Sequence, residues 1–355
     1  VKPLPPAINQ RFRVPAAFPW IIGWLALTLT AHLSAQENRI VITDEREADT
    51  DYQYQGEYYG SLAAGTLSSG PPQVMGLQIV AQGEGNFLAV EYPGGLPGNG
   101  WNRHVRYTMA VTRAGDELRI LSDGYQLLVN GNQAEVRSYD GRSLGTLEKV
   151  IRESPTLGII PPPSATVLFD GTHTEHFKNG QIDADGWLQR GTELVKAYGD
   201  FLLHVEFRTP YMPLSRGQSR GNSGIYIQSR YEVQILDSFG LGGIFNECGA
   251  LYRSIPPELN MCLPPLQWQT YDIEFHAPKF NEKKEKTENA QLTLRHNGVF
   301  VHYHRDIPNK TGAGQPEGPL PLPTKFQDHS DPVVFRNVWI VDLSPEGPPE
   351  QLSQR

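Results

Sequence analysis

At 355 residues the chain is long enough for two domains with separate cores. Its 31 Lys and Arg stand against 39 Asp and Glu, a formal charge of -8 with no basic stripe, which sets aside a nucleic-acid partner. The 35 glycines and 29 prolines, with short apolar runs rich in Val, Ile, Tyr and Phe, set aside a helical bundle and indicate an all-β protein with many turns.

The chain opens with the pattern of a targeting segment. Lys2, Arg11 and Arg13 precede an apolar run from Trp20 to Ala31, and Leu33-Ser34-Ala35 follows. The run is short for a membrane span and small residues come after it, so residues 1–35 are expected to be a cleavable secretory signal. That implies export to the periplasm or the extracellular space, with no stable membrane span after signal removal. An uncleaved anchor is the alternative.

Residues 36–152 are expected to form a small N-terminal β-domain, with strands at Met75–Gln82, Phe87–Tyr92, Val105–Thr112, Glu117–Leu121 and Tyr125–Val129. Turn signals separate them at Gly83-Glu84-Gly85, the glycine-rich loop Pro93–Gly100, and Asn130-Gly131. The glycine-rich loop opens no helix, so it is no phosphate cradle. Trp101 beside it either closes a pocket or caps the core. The stretch Leu144–Ile151 reads as one short helix. Residues 153–165, with Pro161-Pro162-Pro163, are expected to be an extended, fairly stiff linker.

The second unit, residues 166–345 before a tail over 346–355, is denser in strand signals. Phe201, Leu203, Val205 and Phe207 alternate with His204, Glu206 and Arg208, and Tyr271–Phe275 alternates likewise. Asn297-Gly298 between Leu292–His296 and Val299–His304 predicts a type I′ hairpin, and Val333–Val341 is the last strand. His302 and His304 would then share one face, more as an exposed edge than as a metal site. Many short antiparallel strands suggest a jelly-roll β-sandwich. Cys248 and Cys262 are the only cysteines. Export would permit a disulfide between them; two buried thiols are the alternative, and neither has a CxxC partner for zinc.

The stretch Arg220–Asp237 carries the most chemistry. Glu232 and Gln234 are two apart on a predicted strand and project to one side, while Val233 and Ile235 enter the core. Asp237 falls off the alternation, and a bulge or strand end would return it to the same cleft. The pattern Glu-x-Gln-x-x-Asp resembles the Glu-x-Asp-x-x-Glu signature of laminarinase-like glycoside hydrolases, in which two carboxylates act as nucleophile and acid/base. Here the middle acid is an amide and the last is shorter. A surface strand with polar residues facing water is the plain alternative.

A broader resemblance covers the second unit. Val167–Gly171, Asn222–Tyr226, Tyr231–Asp237, Gly249–Tyr252, Trp268–Asp272, His296–Gly298, Gln327–His329 and Phe335–Asn337 together resemble the 3-keto-disaccharide hydrolase domain. The first unit, through Gly76–Gly83 and Tyr92–Gly98, is similar to the small β-domain that precedes it in planctomycete members. The resemblance implies a concanavalin A-like sandwich that cleaves glycosides already oxidised at C3. Such a reaction needs a base near C2 and a cation or donor on the ketone oxygen.

On that basis Glu232 or Asp237 is the expected base, with Gln234 and Asn222 bonding sugar hydroxyls. Arg230 or His329 would polarise the ketone or protonate the leaving oxygen, and Gln327, on the strand face of His329, would line the cleft. Tyr226, Phe239, Tyr252 and Trp268 are candidates to stack on a pyranose, at least two of them filling core instead. A divalent cation held by carboxylate and imidazole could serve as Lewis acid, although no ligand spacing demands one. The expected partner is a 3-keto-glucoside or disaccharide. A carbohydrate-binding pair of sandwiches without catalysis, or an ordinary glycosidase, are the rival readings.

Overall fold

The computed structural model describes residues 39–65 and 72–344; the expected signal and the C-terminal tail lie outside them. The described residues belong to one compact unit in which two β-structures meet. No helix among them is long and apolar enough to cross a membrane.

The N-terminal structure is an eight-stranded antiparallel sheet. Its strands run in the order Tyr107–Thr112, Asn86–Pro93, Gln73–Ala81, Gly56–Leu62, Ser143–Val150, Gln133–Ser138, Tyr125–Val129 and Leu118–Leu121. The two outer strands are consecutive in the chain, and Phe87 near one end shares a core with Leu118 and Ile120 at the other. The sheet therefore curls round its own apolar interior. The expected helix over Leu144–Ile151 is instead the strand Ser143–Val150. Leu144 and Leu147, three apart, mimic helical spacing. A register shift opposite Val136 and Arg137 brings both leucines to the core around Gly145 at φ 151°. A Cβ on Gly145 would lie 2.6 Å from the Ser61 carbonyl.

The C-terminal structure is a two-sheet sandwich. One sheet has five strands in the order Phe177–Lys178, Thr192–Leu194, Lys325–Phe326, Ser223–Ile227 and Tyr231–Ile235. The other runs Leu188–Gln189, Val334–Asp342, Phe201–Arg208, Gln269–His276, Ala290–His296 and Val299–Ile307, with Thr166–Phe169 paired to Val334–Asp342. Phe201, Leu203, Val205 and Phe207 fill the space between the sheets, as their alternation predicts, against Ile225, Val233 and Phe275. Asn297 and Gly298 take φ 51° and 79°, as a type I′ hairpin requires. The expected pairing of His302 with His304 on one face does not occur. A register shift in this hairpin leaves His302 buried, with Nε2 2.8 Å from the Gly249 carbonyl, while His304 is exposed.

The linker is docked rather than free. Ser154 Oγ bonds Thr270 Oγ1 at 2.6 Å, Thr156 Oγ1 donates to Asp272 Oδ2 at 2.7 Å, and the Gly158 amide donates to Glu206 Oε1 at 2.5 Å. It thus covers the outer face of the larger sheet. Elsewhere the two structures exchange core residues: Val80 packs into the sandwich and Tyr211 into the curled sheet. The glycine-rich loop meets the sandwich at Gly98, where a Cβ would stand 2.7 Å from Met261 Sδ. Trp101 caps this junction, edge-on to Tyr92 with centroids 4.9 Å apart, and donates Nε1 to the Val105 carbonyl.

Candidate active site

Strand pairing on the five-stranded sheet sets the site. Glu193 pairs with Lys325, Lys325 with Tyr226, and Tyr226 with Glu232, so these four side chains form one row across four strands on the face turned away from the core. The neighbouring row holds Gln327, Gly224 and Gln234. A cavity of about 380 Å³ opens over this face, lined by Glu193, Tyr226, Gln315, Lys325, Gln327 and Asp328 among others.

Glu232 follows Tyr226 in this row, behind the cavity wall, and is 2 % exposed. Its backbone amide donates to Thr311 Oγ1 at 2.7 Å, which ties the strand to the loop that seals its outer edge. Oε2 is buried without a hydrogen-bond partner. Burial raises the carboxyl to a pKa of about 7, against a smaller lowering by the Tyr226 hydroxyl. Gly224 supplies the room: a Cβ there would sit 2.7 Å from Glu232 Oε1 and 3.2 Å from Gln327 Oε1. Gln327 Oε1 is likewise buried and unpartnered. The two orphan acceptors lie apart, Gln327 Oε1 over Gly224 and Glu232 Oε2 toward Gly312 and Tyr252, and each marks a place where a donor is missing.

The Gln234 amide reads the state of Glu232. One end is 3.0 Å from Glu232 Oε1 and the other is 3.1 Å from Asn222 Oδ1. Turned one way the amide donates to a carboxylate; turned the other it accepts from the protonated acid and donates to Asn222. Each protonation state therefore has a matching amide orientation. Lys325, half-buried, is the cation of the row, with Nζ 3.4 Å from Glu193 Oε2. Lys178 holds the other Glu193 oxygen at 3.1 Å.

The structure brings together Glu232, Gln234, Asn222 and Gln327, with Tyr226 and Tyr252. Asn222 is a supporting residue, its Nδ2 bonded to the Gln218 carbonyl and its backbone amide to Asp331. Tyr252 is half-buried, and its ring lies 3.1 Å from where a Gly312 Cβ would be, beside Glu232 Oε2. Asp237 does not reach the cleft. It is buried in an ion pair with Arg220 Nε at 2.6 Å and accepts from the Phe239 amide; the strand ends at Ile235, so no bulge turns it back. Arg230 is also committed elsewhere, donating to the carbonyls of Pro316 and Leu320 and to Gln228 Oε1. It anchors the sealing loop.

His329 is exposed on the loop beyond Gln327, next to Asp328, whose carboxylate takes Arg190 at 3.0 Å. Trp268 leads into a strand of the other sheet, where Trp187, Arg208 and Arg336 surround it. Phe239 fills core. Cys248 and Cys262 are free buried thiols. Among the described residues no group of three His, Cys, Asp or Glu could hold a metal ion. Sequence reasoning missed Lys325 and Glu193. The signal for Lys325 was present in Lys325-Phe326-Gln327, where alternation puts the lysine on the face of Gln327.

A concave polar face on a two-sheet sandwich, with one buried acid, two amides, a tyrosine and a lysine, defines a carbohydrate-active enzyme. The chain belongs to the 3-keto-alpha-glucoside-1,2-lyase-like domain family, whose sequence model matches residues 164–341 and whose fold is the concanavalin A-like sandwich. Three solved structures from Parabacteroides distasonis ATCC 8503, each provisionally named a glycosyl hydrolase, are similar to it. One is 30 % identical over 51 % of this chain and 85 % of its own, with a TM-score of 0.47. The second is 19 % identical over 54 % and 100 %, at 0.38, and the third 21 % over 50 % and 99 %, at 0.36. No curated protein matches the chain.

Proposed function

We propose that the protein is an exported enzyme that cleaves 3-keto-glycosides by proton abstraction at C2 and elimination at C1. The observation that carries this reading is Glu232, a buried carboxyl with an orphan oxygen and a pKa of about 7, in one row with a cation. A group half-ionised near neutral pH both takes and returns a proton readily.

The ketone at C3 acidifies the hydrogen on C2. Glu232 takes that proton, and the C–H electron pair becomes an enolate whose charge gathers on the C3 oxygen facing Lys325. The enolate collapses to the ketone as the C1–O bond breaks and a C1=C2 double bond forms. The departing oxygen receives a proton from the Glu232 acid. Water adding across C1=C2 gives the free 3-keto sugar and a net hydrolysis. Gln327 holds ring hydroxyls, Gln234 steadies Glu232 from behind, and Tyr226 and Tyr252 border the sugar.

An ordinary glycosidase needs two carboxyl groups roughly 5–9.5 Å apart. Asp237 is spent on Arg220, and Glu193 is three strands from Glu232, about 14 Å along the sheet. The geometry favours one base with one cation. A paired turnover assay tests this, comparing a 3-keto-glucoside with its unoxidised parent, with and without chelator. Cleavage of the keto sugar alone is expected; cleavage of the parent at a similar rate would overturn the reading.

A further inference from the structure

The curled N-terminal sheet carries a second buried acid. Glu91 is 1 % exposed, and its Oε2 accepts from the Tyr125 hydroxyl at 2.6 Å and from Ser122 Oγ at 3.1 Å. These bonds reach across the interior, because the Glu91 and Tyr125 strands are five places apart in the sheet. Oε1 has no partner. Tyr125 and Ser122 also line a cavity of about 590 Å³ at this end of the sheet. Its rim is apolar and open: Val105, Tyr107 and Leu121 are 45 %, 52 % and 60 % exposed.

We propose that this cavity is a second sugar-binding site, taking a neutral pyranose unit of an unoxidised saccharide. The lining offers the Tyr125 and Ser122 hydroxyls, both held from behind by the buried Glu91 carboxyl, together with Asn102, Thr108 and Asp123, so it can exchange hydrogen bonds with sugar hydroxyls in both directions. Burial raises the Glu91 carboxyl above the usual range, against smaller lowering by Tyr125 and Ser122, which favours an uncharged ligand over a cation. The exposed tyrosine and aliphatic rim offers the C–H face of a pyranose an apolar surface to stack on. The site lies outside the Glu232 cleft and does not rest on the reaction assigned there. It would hold a saccharide to the enzyme.

The test is calorimetric titration of the full chain with cellotetraose and with maltotetraose. At least one should bind saturably, with a dissociation constant of about 1 mM or tighter. That binding should persist in Gln327→Ala, a change in the cleft, and weaken tenfold or more in Tyr107→Ala and in Glu91→Gln. Tyr107 is at the surface, so its variant should keep the fold, and turnover of a small 3-keto-glucoside by it should be unchanged. No saturable binding of either probe would overturn the proposal. So would binding that disappears in Gln327→Ala and survives Tyr107→Ala. Failure of keto-sugar turnover would count against the cleft reading alone.

Discussion

The two sheets of the sandwich each bury a glutamate on the face turned away from the core, and the two acids are treated in opposite ways. Glu206, on the larger sheet, accepts from the Gly158 amide, Arg336 Nε at 2.7 Å and Asn337 Nδ2 at 2.9 Å. His204 Nε2 stands 3.7 Å away, an ion-pair distance rather than a hydrogen bond, and its Nδ1 is 2.6 Å from Asp272. Burial alone would raise Glu206, yet these partners bring it down to about 2. Burial alone would depress His204, and the Asp272 and Glu206 carboxylates outweigh that to hold it above its usual value. Glu232 is as deeply buried and has no cation on its carboxylate. Satisfied buried charge locks a structure, whereas unsatisfied buried acid keeps a proton in play.

The contrast breaks first at Glu232. Glu232→Gln should lower turnover of a 3-keto-glucoside by about 10³-fold or more while leaving the circular dichroism spectrum intact; retained turnover would remove Glu232 from catalysis. Next in size, Asp237→Asn should cost about 3–5 kcal/mol in urea unfolding, since it leaves the buried Arg220 unpaired, and Glu206→Ala about 1–3 kcal/mol, since it strands the Gly158 and Asn337 donors. Activity per folded molecule should hold in both.

The pH dependences separate the two acids further. The pKa of Glu206 falls on folding, so its contribution is present above about pH 4.5 and is lost as the pH drops toward 2. The pKa of Glu232 rises on folding, so its penalty begins above about pH 4.5 and is complete above 7. Glu232→Gln should therefore be more stable than the parent by up to about 3 kcal/mol at pH 8, with little difference at pH 4. The kcat/KM of the parent should meanwhile climb with pH through about 7. The smallest effect belongs to Lys325→Met, which should reduce kcat about 10–100-fold with KM and melting temperature nearly unchanged; an unaltered kcat would move the cation role elsewhere.

The sandwich was legible because its strands keep strict alternation, as in Phe201–Phe207, and its hairpin carries Asn-Gly. The convergence of Glu232 with Gln234 followed from a period of two. What failed were residues whose partners lie far along the chain. Asp237 looked catalytic until Arg220 was found to claim it, and Arg230 looked free although the Pro316–Leu320 loop encloses it. Trp268 lies close to other motifs in sequence, but it leads into a strand of the opposite sheet. Lys325 and Glu193 join the site only through strands of two and three residues, so a single alternation with Gln327 was all that pointed to the lysine, and no period pointed to Glu193. The helix read into Leu144–Ile151 was a bulged strand, because one extra residue turns a spacing of two into three.

The docked linker has a practical side. The family match begins at residue 164, but Ser154, Thr156 and Gly158 lie before it and supply bonds to Thr270, Asp272 and Glu206. A fragment cut at that boundary would uncover the His204–Glu206 cluster to water and strip one donor from its central acid. Homology would draw the edge of the domain at residue 164, whereas hydrogen bonding draws it about ten residues earlier, and an excised sandwich should begin there.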